Sequence, residues 1–139
     1  MRLLCVGKVK EDYLMRGIEE YLRKINYFAK FEIIRVKDSS VKQEGEALLS
    51  RINDEFVIAL GEEGKHYSSV EFSQMLGKVN KEIVFIIGSG EGLSEEVKKR
   101  ANLVLSLSKM TFLHEMAQLV LLEQVYRHLM IKNSRAYHR

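Results

Sequence analysis

Three glycines at alternate positions form the first group of residues that could do chemistry. Gly88, Gly90 and Gly92 come directly after the apolar residues 83–87. Because glycine has no side chain, such a loop lets a ligand approach the backbone closely. The dinucleotide-binding fingerprint needs its last glycine three positions after the second, within the first βαβ unit. Here that glycine comes two positions on, and most of the chain precedes the loop. The spacing disfavours an NAD-binding domain and leaves a different ligand loop or a plain turn.

The other reactive side chains do not form a familiar catalytic group. The 4 histidines are scattered and Cys5 is the only cysteine, so no spacing resembles a pair of metal ligands. A Ser/His/Asp hydrolase needs a Gly-x-Ser-x-Gly elbow, and a phosphate loop needs a Gly-Lys-Ser/Thr ending. Neither is present. We therefore expect no metal, and a pocket built from loops at the carboxyl ends of the strands, where open α/β sheets bind ligands.

The carboxyl-terminal residues are basic. From position 127 onward the charged side chains are all cations, namely Arg127, Lys132, Arg135 and Arg139. The net charge of +3 permits nucleic-acid binding without requiring it. Cations at the end of a helix also favour its macrodipole, which accounts for the first two better than for the last two. These four residues can contact the phosphates of a nucleic acid.

The hydrophobic pattern alternates strands with helices along the chain. Strands are predicted at residues 3–6, 31–36, 56–60, 83–87 and 103–105, and a turn at residues 61–64. Helices are predicted to begin after Asp12, Ser40, Ser68 and Ser94 and at Thr111, with capping boxes at the second and third. Strands that are apolar throughout and separated by helices imply a mainly parallel sheet covered by helices on both faces, which is an α/β fold. No proline, linker or repeat divides residues 1–139, so we expect one domain.

The last predicted helix, residues 111–133, is apolar on more than one face. Residues 119–122 are all apolar, and further apolar residues surround them. A surface helix of a monomer normally has one apolar stripe. The second face therefore predicts a partner subunit, with burial inside the same domain as the alternative.

The composition is that of an ordinary globular protein, with 46% hydrophobic and 29% charged residues. No apolar run has the length of a membrane span, and the first residues lack the pattern of a signal peptide. Cys5 stands in an apolar run and cannot form an internal disulfide, so we expect it in the core of a strand. These features predict a protein of the reducing cytoplasm that does not enter a membrane.

Four segments in the carboxyl-terminal part, in this order, resemble a known family. They read FIIGSGEGL from residue 85, LSLSKMTFLH from residue 105, EQVYR from residue 123 and AYHR from residue 136. They resemble the RlmH family of 23S rRNA (pseudouridine1915-N3)-methyltransferases, which belongs to the SPOUT methyltransferases. Val6-Gly7-Lys8, and Leu60 with Gly64-Lys65, match as well, so the resemblance covers the whole chain.

The resemblance implies a SPOUT-type fold with a carboxyl-terminal trefoil knot, a homodimer, and S-adenosylmethionine bound in the knot. It implies an enzyme that methylates N3 of a pseudouridine in 23S rRNA, either free or within the ribosome. By position, the cofactor contacts of the family fall on Leu60, Gly88, Leu107, Ser108, Lys109, Met110, Thr111 and Phe112. An adenine needs an apolar slot and backbone partners more than charged side chains, which these residues can provide.

If the substrate is RNA, as the resemblance implies, we predict that its phosphates contact the four cations of the basic tail, namely Arg127, Lys132, Arg135 and Arg139, and that the same tail holds the catalytic residues. The proton on N3 must leave before or during the transfer, and a neutral histidine can assist. We assign this role to His138, with Tyr137 positioning or stacking on a base. For His114 we expect a structural hydrogen bond.

The chain departs from the family pattern at three positions. Leu113 replaces the usual proline, Gln118 replaces the usual arginine, and Ser89 interrupts the common Gly-Gly. Two alternatives remain at this stage. One is a non-catalytic RNA-binding or ribosome-assembly protein on the same fold, which would not bind S-adenosylmethionine saturably. The other is a different small-nucleotide enzyme of the doubly wound type, which the missing fingerprint disfavours.

Overall fold

The computed structural model describes residues 1–138, so Arg139, one of the predicted RNA contacts, lies outside the described residues. Strands and helices alternate in the predicted order. They are β1 (Arg2–Val6), α1 (Asp12–Phe28), β2 (Glu32–Val36), α2 (Val41–Leu49), β3 (Phe56–His66), α3 (Ser69–Gly77), β4 (Ile83–Ile87), α4 (Glu95–Arg100), β5 (Leu103–Ser106) and α5 (His114–Lys132).

The strands form one sheet in the order β2-β1-β4-β3-β5, and every pair of neighbours is parallel. Helices α1, α3 and α5 pack their apolar residues on one face, and α2 and α4 pack on the other. All five residues of the central strand β4 are buried, which explains why this strand is apolar throughout. The predicted α/β fold, with a parallel sheet and helices on both faces, is confirmed. Cys5 lies fully buried in β1, as expected.

Serine caps begin three of the helices. Ser68 and Glu71 form the complete predicted capping box at α3. Ser40 accepts one hydrogen bond from the backbone N–H of Gln43 at α2 (3.1 Å), but the return bond of a capping box is absent there. Ser94 caps α4 by accepting from the backbone N–H of Val97 (3.3 Å). These caps satisfy helix N–H groups that have no partner inside the helix.

The turn predicted at residues 61–64 is wrong, because β3 continues to His66. It pairs with β5 at residues 58–60 and again at Lys65 and His66, and residues 61–64 bulge out between these two paired stretches. The register shifts between Leu60 and Lys65, which both stand opposite Leu105. At Gly64 the two strands approach so closely that a Cβ atom would lie 2.5 Å from the carbonyl oxygen of Val104. The glycine therefore permits a close strand approach and does not mark a turn.

Helix α5 begins at His114, three residues after the predicted start, and it lies between α1 and α3. Leu121, Leu122 and Val125 are fully buried within the chain itself. Much of the doubly apolar pattern of α5 thus reflects packing on neighbouring helices of the same chain. Within residues 1–138, no helix combines the length and the apolar character that crossing a membrane would need.

Candidate functional site

A cavity of about 330 Å³ opens at the carboxyl ends of β4 and β5, beside residues 60–63 of β3. Its walls are residues 60–63 of β3, residues 87–93 after β4, and residues 105–108 and 110–112 of β5 and the segment that follows it. The volume is that of a pocket for a small molecule or cofactor. All the predicted cofactor contacts except Lys109 line this cavity, and Lys109 does not. The parallel sheet brings these distant segments together because its strands end at the same edge.

The charged residues around the cavity are mainly acidic. Lys98 Nζ lies 3.0 Å from Glu63 Oε1. The pKa of Glu63 is lowered, first by a hydrogen bond from its own backbone N–H and then by Lys98, so this carboxylate stays ionised. Glu62 and Glu91 also line the cavity, and neither has an ion-pair partner among residues 1–138. The excess of negative charge suits a ligand that carries positive charge.

The glycine loop is shaped by contacts within itself. A Cβ atom at Gly88 would lie 2.7 Å from the carbonyl oxygen of Gly92 and 3.0 Å from Leu93 Cδ2. Gly92 has a φ of +86°, which favours glycine, and its N–H donates to the carbonyl of Ser89 (2.9 Å). Glycine at position 88 is therefore required by the compact turn that forms one wall of the cavity.

His114, the first residue of α5, lines the cavity. Its Nδ1 atom is buried and has no hydrogen-bond partner among the described residues, so the expected structural hydrogen bond is not found at this atom. A buried polar atom without a partner costs free energy. A ligand in the cavity can supply the missing partner. Sequence reasoning did not assign this residue to the site, because the burial of its Nδ1 without a partner depends on how the loops fold around it.

The predicted catalytic residues lie elsewhere on the chain. The Tyr137 hydroxyl donates to Glu123 Oε1 (3.0 Å), and its oxygen lies 3.3 Å from that of Tyr21. Its ring packs edge-on against Tyr126 at 4.9 Å between centroids. Burial and then the hydrogen bond with Tyr21 raise the pKa of Tyr137, so its phenol stays protonated. His138 is exposed, and neither residue lines the cavity.

The predicted RNA contacts differ in whether they already form polar contacts within the chain. Arg127 donates to Glu123 Oε1 (2.6 Å), lies 3.2 Å from His138 Nδ1 and stacks over the ring of Tyr137. Lys132 and Arg135 are exposed and form no ion pair within residues 1–138. The basic tail therefore begins with an engaged arginine and continues with two cations that a phosphate can reach.

A buried polar pair joins α3 to α5. The hydroxyl of Ser73 on α3 lies 2.8 Å from Nδ1 of His128 on α5, and both residues are buried. Burial, followed by the charge of Lys132, lowers the pKa of His128. This pair lies away from the cavity.

In the part of the chain that the structure describes, no group of three or more His, Cys, Asp or Glu residues could hold a metal ion.

Comparison with known sequences gives full-length matches. A family profile described as "Predicted SPOUT methyltransferase" matches residues 1–138. The protein named ribosomal RNA large subunit methyltransferase H from Streptococcus mutans is 40% identical over 157 aligned positions, covering 100% of this chain and 99% of the relative. The protein of the same name from Prochlorococcus marinus is 42% identical over 140 positions, covering 99% and 94%.

Solved structures share the fold at low sequence identity. A probable methylase family protein from Haemophilus influenzae matches with a TM-score of 0.60 and 14% identity, covering 99% of this chain and 70% of that protein. A tRNA (m1G37) methyltransferase from Aquifex aeolicus matches with a TM-score of 0.59 and 16% identity, covering 100% and 76%. The SpoU methyltransferase AviRb from Streptomyces viridochromogenes, solved with AdoMet, matches with a TM-score of 0.53 and 13% identity, covering 97% and 58%.

Proposed function

Because the chain belongs to the SPOUT methyltransferase family, we propose that it methylates N3 of a pseudouridine in the 23S rRNA of the large ribosomal subunit. It is an S-adenosylmethionine-dependent rRNA methyltransferase. The observation that carries this activity is its relatedness, along its full length, to large-subunit rRNA methyltransferases. The identity of the methylated atom rests on the resemblance of the loop and tail motifs.

The cavity fits S-adenosylmethionine. This cofactor carries a sulfonium and an ammonium group against one carboxylate, and the acidic residues of the cavity complement its net positive charge. The apolar side chains of Leu60 and Leu107 can cover an adenine. The buried Nδ1 of His114, which has no partner among the described residues, can accept or donate a hydrogen bond. The proposed cofactor contacts are Leu60, Gly88, Leu107, Ser108, Met110, Thr111 and Phe112, which line the cavity, and Lys109, which does not line it and is proposed from the resemblance alone.

The cofactor supplies a methyl group that its sulfonium already activates. The protein must then align the base with that methyl group and remove one proton from N3. We assign the removal of this proton to His138. Tyr137 cannot act as the base at neutral pH, because its raised pKa keeps the phenol protonated. In this assignment Tyr137 positions the base, and Arg127, Lys132, Arg135 and Arg139 contact RNA phosphates.

A second copy of the chain accounts for the distance between tail and cavity. Tyr137 packs on its own α1–α5 face, away from the cavity, so one chain alone does not bring its tail to its cofactor. Met110 and Phe112, which line the cavity, and the next residue, Leu113, are 76%, 38% and 54% exposed. Apolar groups exposed together often mark an interface. These observations support a homodimer in which the tail of one subunit serves the cavity of the other.

The remaining assignments follow from the family. We propose that residues 1–139 act as one domain, that the carboxyl-terminal part forms a trefoil knot, and that the protein works in the cytoplasm, where rRNA is made. A protein that only binds RNA would share the fold but would not bind S-adenosylmethionine saturably in calorimetry.

The cellular test is mass mapping of 23S rRNA from cells with and without the gene. We expect one pseudouridine to lose one methyl group on deletion and to regain it when the wild-type gene is returned. An unchanged rRNA modification pattern would contradict the proposed function.

A further inference from the structure

Helix α2 holds the glycine loop through a buried carboxylate. Glu44 is only 2% exposed. Its Oε2 accepts a hydrogen bond from the Ser89 hydroxyl (3.1 Å), and its Oε1 accepts from the backbone N–H of Ser39 (3.0 Å). Both carboxylate oxygens are therefore occupied, which is the condition under which a buried charge is tolerated. The side chain connects the segment before α2 to the loop after β4.

The next residue of α2 contacts the other end of the same loop. A Cβ atom at Gly45 would collide with the Ser94 hydroxyl oxygen and would lie 3.6 Å from Val97 Cγ2. The Ser94 hydroxyl also caps α4, so it cannot move away without giving up that bond. Glu44 thus holds residue 89 by a hydrogen bond, and Gly45 lets α2 pack closely against residue 94 on the other side of the turn.

The loop between these two points forms one wall of the cavity. Residues 88–93 line the cavity, whereas Glu44 and Gly45 do not. Within the loop, the hydroxyl of Ser89 is the group that Glu44 holds, and a glycine at this position would have no such group. A hydrogen bond to a carboxylate is stronger than one between neutral groups. Glu44 therefore contacts the loop on the side away from the cavity and does not itself line the cavity.

We propose that Glu44 is a positioning residue that acts through Ser89 and holds the glycine loop in the geometry that binds S-adenosylmethionine. This inference rests on the proposed function for the identity of the ligand. It adds a role for α2, a helix on the opposite face of the sheet from α5.

The test removes the Ser89 hydroxyl and, separately, the Glu44 carboxylate. Ser89→Ala deletes the bond to Glu44 and a longer bond that the same hydroxyl accepts from the backbone N–H of Glu91 (3.4 Å), and it leaves the bond between Glu44 and Ser39. We expect the Kd for S-adenosylhomocysteine, measured by calorimetry, to rise about tenfold. Glu44→Ala keeps the bond to Glu91, so it must weaken binding as well if the effect comes from Glu44; wild-type affinity in Glu44→Ala would overturn the inference. Ser89→Thr keeps a hydroxyl and should restore affinity. Ser40→Ala is the matched control, because it removes a serine hydroxyl that makes one hydrogen bond on the same helix but does not touch the loop.

Hydrogen exchange of the ligand-free protein separates this inference from the proposed function. We expect the amides of residues 88–93 to exchange faster in Ser89→Ala than in the wild type or in Ser40→Ala. Wild-type affinity and wild-type exchange in Ser89→Ala would overturn the inference while leaving the proposed function intact. Equal weakening in Ser40→Ala would also overturn it, because the effect would then come from α2 stability alone. A wild-type protein that binds no cofactor would instead contradict the proposed function, even if the exchange result held.

Discussion

Replacing Gly88 with alanine probes the wall of the cavity with the smallest possible change. The added Cβ would lie 2.7 Å from the carbonyl oxygen and 2.9 Å from the carbonyl carbon of Gly92. Real Cβ atoms do not approach backbone atoms this closely, so the turn must open. Overpacking of this kind costs about 1–3 kcal/mol. The matched control is Gly77→Ala at the end of α3, where an added Cβ meets nothing within 4 Å.

The strain of Gly88→Ala must appear in one of two measurements. If the loop keeps its shape, the free energy of unfolding falls by about 1–3 kcal/mol in urea denaturation. If the loop opens, the Kd for S-adenosylhomocysteine rises instead, by ~5-fold to ~150-fold for the same free energy. Gly77→Ala should leave the affinity unchanged and stability equal or slightly higher. Wild-type stability together with wild-type affinity in Gly88→Ala would refute the described geometry of the loop.

Three other variants test packing, pH dependence and the tail. Leu122→Glu should abolish the folded circular dichroism spectrum, because it buries a lone charge, and a folded Leu122→Glu monomer would contradict the burial of Leu122 in the core. The exposed Leu113 is the comparison, and Leu113→Glu should give a folded monomer in sedimentation. Burial, followed by the charge of Lys132, lowers the pKa of His128, so the unfolded state binds more protons than the folded state near pH 6. The free energy of unfolding should therefore fall as the pH drops below about 6.5, and this fall should be smaller in His128→Gln. Deleting residues 135–139 should reduce the salt dependence of RNA binding and abolish methylation without changing cofactor affinity, and a fully active truncated protein would exclude His138 as the base.

The order of strands and helices could be predicted because the pattern of apolar residues follows directly from burial on both faces of the sheet. The continuation of β3 through residues 61–64 could not be predicted from the sequence. A glycine at a turn and a glycine at a close strand approach look alike in sequence, and the partner of Gly64 lies far along the chain in β5. Similarly, the start of α5 was placed too early because Leu113 precedes it without a capping side chain.

The site divides in the same way. The glycine loop and the segment after β5 could be predicted to line one pocket because they carry recognisable motifs. The contacts of Glu44, Lys98 and His114 could not be predicted, because each depends on which distant segment lies beside it in the folded chain. The doubly apolar pattern of α5 indicated burial correctly but did not distinguish a partner subunit from α1 and α3 of the same chain.

The most direct test is transfer of a labelled methyl group by the purified protein. S-adenosylmethionine labelled in its methyl group is incubated with the protein and either free 23S rRNA or assembled ribosomes from cells that lack the gene, and the product RNA is mapped by mass spectrometry. We predict about one methyl group per 23S rRNA, located on N3 of one pseudouridine, in at least one of the two substrates. Label on neither substrate, with intact protein and fresh cofactor, would contradict the proposed rRNA methylation.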